Sequence, residues 1–344
     1  GGGGGTFFVV WQQLDPPAEG GDWEIWMTGS IESGCSFCAP VRLTDNLVDD
    51  TNPRVAGATD PSGTYLVVQV VYESEGDVIL AYEDSTIEPW VLPSVFCPQI
   101  QASGLRIRTN SLYRRLNTVP GTARRPDIAL SALEFSFAHF HVAWEDNQSG
   151  TWDVWTDHDH SASGAGYGSP GFPLNLTAGA VPAGDAVLPK VSGDVLATGG
   201  QGGVTVAMVD GQMGEILYIR SSDSGMTWSG SGAAPTAPPV DPPVPISQTS
   251  PMPLHPPAVD SSDTTFQAGD PIWEIVAWVR GDGNADAEVQ HLTAPATPDV
   301  PWDPATDYQC GTAGTPGTRS AAVLEPAWPG DPARAWVFWE EMLG

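Results

Sequence analysis

Val142-Ala143-Trp144-Glu145-Asp146-Asn147-Gln148-Ser149-Gly150-Thr151-Trp152-Asp153-Val154-Trp155 consists of two apolar runs around a polar turn. The flanks are β-branched and aromatic, and the middle carries the Asp, Asn, Ser and Gly that a chain reversal needs, so the stretch predicts a β-hairpin. Its first run recurs as Val9-Val10-Trp11, Val70-Val71-Tyr72, Val206-Ala207-Met208, Val276-Ala277-Trp278 and Val337-Phe338-Trp339, at intervals of about 61 to 72 residues. Its second run, an acid followed by a β-branched residue, recurs as Glu24-Ile25-Trp26, Asp77-Val78-Ile79, Glu215-Ile216-Leu217 and Glu288-Val289-Gln290.

Working outward, an extended segment precedes the hairpin at Asn52-Pro53-Arg54-Val55-Ala56, Arg125-Pro126-Asp127-Ile128-Ala129, Leu188-Pro189-Lys190-Val191-Ser192, Pro256-Pro257-Ala258-Val259-Asp260 and Arg319-Ser320-Ala321-Ala322-Val323. An outer strand reads at Pro40-Val41-Arg42-Leu43-Thr44 and Pro173-Leu174-Asn175-Leu176-Thr177. Four strands per unit at this period predict an all-β chain, a β-propeller of six four-stranded blades in one domain. The blades cover 6–47, 52–104, 125–178, 187–250, 255–312 and 319–344, with the last incomplete. Its missing strands are expected from the other terminus or from another molecule, which would allow self-assembly by strand pairing.

Lys+Arg 13 against Asp+Glu 42 gives a formal net charge of -29. So acidic a surface repels nucleic acid and anionic lipid, which argues against either as a partner. Gly 39 and Pro 33 suit turns rather than long helices. No run approaches the roughly 18 apolar residues of a membrane-spanning helix. Lys190 is the single lysine, and Cys35, Cys38, Cys97 and Cys310 make an even set of disulfide candidates. Together with the acidity, this points to an extracellular, cell-surface or periplasmic location; four cysteines allow three pairings.

After the strand-like run Glu215 to Arg220 comes Ser221-Ser222-Asp223-Ser224-Gly225-Met226-Thr227-Trp228. Its Ser and Asp can bond back to nearby N–H groups, its Gly can turn left-handed, and its Trp can cover the hairpin. Ser221, Asp223, Gly225, Thr227 and Trp228 resemble the Asp box of the bacterial neuraminidase repeat, found in sialidase-like β-propellers. The resemblance implies a structural box at a blade corner, away from any catalytic centre. It does not extend to the family's catalytic set: the Arg-Ile-Pro motif is absent, and Arg106-Ile107-Arg108 is the nearest string.

Arg106, Arg108, Arg114, Arg115, Arg124 and Arg125 cluster in what reads as an insertion over 105–124 and its border. Guanidinium groups take carboxylate, sulfate or phosphate in paired geometry, so these are candidates for binding an anionic sugar or an acidic partner surface, against pairing with the chain's own acids. Asp282, Asn284 and Asp286 alternate like the first half of a calcium loop and are calcium candidates, although an EF-hand's Gly and Glu are missing. Asp157-His158-Asp159-His160 offers transition-metal ligands but reads as a solvated, exposed turn, and the Pro-rich run 230–257 reads as a loop. The function expected is a non-catalytic module that binds protein or glycan, in adhesion or assembly, with no required cofactor. The alternatives are a sialidase-like glycoside hydrolase and a structural segment of a longer surface protein or filament.

Overall fold

The computed structural model describes residues 7–16, 20–30, 37–59, 65–82, 106–108, 112–134, 137–159, 172–178, 185–193, 203–221, 223–229, 243–246, 257–263, 272–279, 287–294, 308–310, 317–325 and 334–341. These residues are strand, turn and irregular chain, with no helix among them. The first sheet is β1 (Phe7–Leu14), β2 (Trp23–Ser30) and β3 (Val41–Arg42), paired in that order. The second runs β4 (Asp50–Thr59), β5 (Tyr65–Ser74), β6 (Asp77–Tyr82) and β8 (Leu112–Arg115), and β7 (Arg106–Arg108) lies parallel to β5. The third is β9 (Ala123–Glu134), β10 (Phe137–Asp146), β11 (Asp153–Asp159) and β12 (Leu174–Asn175). The fourth is β13 (Ala186–Gly193), β14 (Val204–Asp210), β15 (Ile216–Ser221) and β16 (Val244–Pro245). The fifth is β17 (Ala258–Asp263), β18 (Ile272–Val279), β19 (Ala287–Ala294) and β20 (Tyr308–Cys310); β21 (Gly317–Glu325) then pairs with β22 (Arg334–Glu341).

The chain divides into two compact units, 1–142 with 157–173 and 143–156 with 174–344, so the third sheet contributes residues to both. Each unit has a core between consecutive sheets. In the first, Ile25 and Met27 of β2 pack with Val68, Val70 and Tyr72 of β5. In the second, Ala207 and Val209 of β14, with Ile216 and Tyr218 of β15, pack with Val276 and Trp278 of β18. In the third and fourth sheets the recurring triplet is therefore the buried second strand: Val142, Ala143 and Trp144 are all fully buried, as are Val206, Ala207 and Met208, whereas Val9-Val10-Trp11 lies in the first strand of its sheet. Burial of successive residues requires cover on both faces, which is why these runs are continuously apolar rather than alternating.

Two stretches differ from the sequence expectation. The 105–124 segment contains β7 and β8, and β8 is the outer strand of the second sheet rather than part of an insertion. The 230–257 run contributes β16, whose neighbour Ile246 is buried. A short edge strand, four residues in β8 and two in β16, tolerates Arg and Pro because only one side of its backbone is paired. Its anchor is the apolar residue that follows: Leu43, Leu116, Leu176 and Ile246 donate their N–H to the carbonyls of Ile25, Val78, Val154 and Ile216 at 2.7, 2.9, 2.8 and 2.9 Å.

Candidate functional site

In the first three sheets the acid that opens the second hairpin strand fixes the outer strand of its own sheet. Glu24 accepts hydrogen bonds from Arg42 Nη2 at 2.7 Å, from Asn46 N at 3.1 Å and from the Thr44 hydroxyl. Asp77 accepts from Asn117 Nδ2 at 2.9 Å and Gly121 N at 2.7 Å. Asp153 accepts from Ser149 Oγ at 2.7 Å, Asn175 Nδ2 at 3.0 Å and Thr177 Oγ1 at 3.2 Å. The next residue then donates its N–H to the same outer segment: Ile25 to Thr44, Val78 to Asn117 and Val154 to Thr177, at 2.9, 3.0 and 3.1 Å. The acid-plus-β-branched pattern is thus an edge clamp, and the Asn175 side chain of Asn175-Leu176-Thr177 is held inside it.

A second device ties each of the first three sheets to the next. Gln12, Glu73 and Glu145 accept the backbone N–H of Asn52, Arg125 and Leu188, with the outer two bonds 2.8 and 2.7 Å long. Each donor is left-handed, with φ of 51°, 51° and 59°, and each stands before a proline, which disfavours the right-handed helical region. The strands shift register there, between Thr51 and Arg54 and between Val187 and Lys190. The buried end of Glu145 therefore satisfies an N–H that the shifted ladder leaves over. At the corresponding positions of the fourth unit stand Val209 and Pro256, so acceptor and donor are missing together.

Carboxylates gather where the turns of the first two sheets lie. Asp15, Asp22, Glu24 and Asp50 are buried, and Arg42 reaches Asp15, Glu24 and Asp45 at 2.8, 2.7 and 3.0 Å. Burial opposes the Arg42 charge, yet the Glu24 hydrogen bond and the surrounding carboxylates hold its pKa above the ordinary guanidinium value. Burial pushes the Asp50 carboxyl up; hydrogen bonds to Ser74, Asn46 and Thr44 oppose this and the Glu24 charge adds to it. Burial also raises Tyr72 and Tyr113, whose rings meet edge to face at 6.5 Å. Beside this network Val48, Asp49, Thr51, Glu73, Glu75 and Gly76 line a cavity of about 430 Å³.

The Ser221 to Trp228 turn is closed on itself. Ser221 Oγ donates to Asp223 Oδ1 at 2.8 Å and accepts Gly225 N at 2.7 Å. Asp223 accepts Thr227 N at 2.8 Å and Thr227 Oγ1 at 2.7 Å. Ser224 and Gly225 are left-handed, and fully buried Trp228 donates Nε1–H to the Gly225 carbonyl at 2.9 Å.

No family model and no curated protein matches this chain. Among solved structures it is similar to an arginine-to-alanine triple mutant of AofleA from Arthrobotrys oligospora, at 11% identity and a TM-score of 0.41, covering 86% of this chain and 69% of that one. It is also similar to the SapL1 lectin in complex with alpha methyl fucoside, at 11% identity and TM-score 0.42, covering 97% and 95%. A GH62 hydrolase in complex with xylotriose gives 10% identity and TM-score 0.36, covering 81% and 83%. Likeness at this level decides neither fold nor function.

The six arginines are not brought together into one described site. Exposed Arg115 sits 3.8 Å from Asp77 and donates to the Asn117 carbonyl at 3.1 Å. Arg124 and Arg125 also hold partners. Arg106 and Arg108 lie on β7, the strand parallel to β5. Asp282, Asn284 and Asp286 fall outside the described residues, as do Cys35 and Cys97. Cys38 is disulfide-bonded, and Cys310 ends β20. Asp157, His158 and Asp159 are buried strand residues rather than an exposed turn, and His158 stacks on His141 at 5.7 Å. Gln12, Glu73 and Glu145 were missed by sequence reasoning, although each directly follows the aromatic residue of its triplet.

Proposed function

We propose that this chain is an extracellular β-propeller, a diverged relative of the neuraminidase-repeat group, that acts as a binding module for hydroxyl-rich glycan. The carrying observation is the acid-lined cavity of about 430 Å³ with Asp49, Glu73 and Glu75 on its wall. Carboxylates accept hydrogen bonds from neighbouring sugar hydroxyls, which fits such a wall to a hydroxyl-rich ligand. Supporting the propeller are consecutive four-stranded antiparallel sheets, cores between successive sheets, and the repeated side-chain tie to the next sheet. Ser131 Oγ and His141 Nε2 lie 2.7 Å apart, but both residues are fully buried, so the pair serves the interior rather than a substrate.

The test is a glycan array probed with the full chain and with Glu75→Ala, an exposed wall residue. Binding to neutral glycans is expected, weakened about tenfold in the variant by loss of one charge-assisted acceptor. Hydrolysis of a fluorogenic sialoside would favour the sialidase-like alternative. Binding indifferent to Glu75→Ala would move the site elsewhere.

A further inference from the structure

We infer that Asp15, Asp22 and Glu24 form a calcium site in the turn that joins β1 to β2. One carboxylate oxygen from each lies within 4.8 Å of the other two, and the residues are 3%, 8% and 0% exposed. Clustered acids alone would not carry this. The deciding observation is Asp22: both of its oxygens are sealed from solvent and neither has a hydrogen-bond partner among the described residues. Yet its carboxylate faces the point where those of Asp15 and Glu24 converge. An ionised carboxylate buried without a partner costs several kcal/mol, so the sequence has placed here a group whose burial needs a cation.

Arg42 does not fill that role for Asp22. Its guanidinium reaches Asp15, Glu24 and Asp45, one positive charge against three acids, and Asp22 is not among its ion pairs. The donors are all carboxylate oxygens, which select a hard cation over zinc or copper. Between the hard cations, calcium accepts irregular sets of carboxylate oxygens, whereas magnesium demands near-ideal octahedral geometry and keeps several waters. Gly20 closes the turn against the same group: its φ is +126°, and a Cβ there would fall 2.5 Å from Asp22 Oδ1. The site lies in a different hairpin turn from Asp282, Asn284 and Asp286, so the two are separable by mutation.

Thermal unfolding and tryptophan-sensitised terbium emission of the full chain, first stripped with EGTA, test the assignment. Trp23 adjoins Asp22, and Trp11 pairs with Trp26 across the hairpin, so excited indoles lie near the ion. Calcium should raise Tm as a ligand that binds only the folded chain, and terbium should light up. Asp22→Asn should weaken calcium affinity at least tenfold, cancel both signals, and melt no lower than the metal-free wild type. The double variant Asp282→Asn/Asp286→Asn should keep both signals. An equal response in Asp22→Asn, a response lost only in the double variant, or none in the wild type would overturn the site. If Asp22→Asn does not fold, native mass spectrometry of Asp15→Asn decides: calcium retained as in the wild type contradicts the assignment, and calcium lost supports it.

Discussion

The turn at Ser221–Trp228 and the turn at Asp15–Glu24 both reverse the chain with acids and left-handed glycine, yet they treat charge in opposite ways. In the first, the Asp223 carboxylate accepts from Ser221 and from both the backbone and the hydroxyl of Thr227, and Trp228 seals the result. In the second, Asp22 is buried with neither oxygen satisfied among the described residues, beside an arginine committed to other acids. The first turn is complete without a ligand and reads as architecture. The second leaves a buried carboxylate that no described residue offsets. An acidic motif that looks functional in sequence can therefore be closed, while a less conspicuous one stays open.

The largest effect expected bears on the closed turn. Trp228→Ala removes a fully buried indole and its bond to Gly225, and should cost roughly 3–5 kcal/mol in urea denaturation. A loss under about 1 kcal/mol would mean the lid is not part of the core. Next comes the tie between consecutive sheets: Glu145→Ala strands the Leu188 N–H and should cost about 1–3 kcal/mol, whereas Glu145→Gln, which keeps an acceptor, should recover most of it. Equal losses in the two variants would show that charge, not the acceptor, matters there.

A smaller effect concerns the open turn's neighbour, Asp50. Burial raises its carboxyl above the ordinary value, so the folded chain holds that proton more tightly than the unfolded chain does. Its contribution is complete below the unfolded carboxylate value and is lost as pH rises through the raised one. Asp50→Asn should flatten that decline in a series of melts across mildly acid pH. An unchanged slope would locate the titration in another group.

Much of the architecture was legible in the sequence. The triplets ending in Tyr72, Trp144, Met208 and Trp278 do mark second strands, because burial on both faces leaves an apolar signature, whereas the triplet ending in Trp11 lies in the first strand of its sheet with Val9 exposed. The outer strands Leu112–Arg115 and Val244–Pro245 were obscured because pairing over two to four residues on one side imposes little composition, and Arg and Pro there pointed to an insertion and a loop. The ties from Gln12, Glu73 and Glu145 were also hidden. Each joins residues 40 to 52 positions apart, and an acceptor after an aromatic looks like any turn-flanking polar residue. The acid opening each second strand was noticed as a strand signal, but its role as an edge clamp depends on outer-strand partners that local sequence does not name.

The contrast between the turns is tested most directly by one pair of melts in metal-free buffer, Asp223→Ala beside Asp22→Ala. The account predicts opposite outcomes. Asp223→Ala strands the Thr227 N–H and the Ser221 and Thr227 hydroxyls and should lose about 2–3 kcal/mol, while Asp22→Ala sheds an unpaired buried charge and should match or exceed the wild type. Comparable destabilisation by both would contradict it, because Asp22 would then be as well satisfied in the folded chain as Asp223.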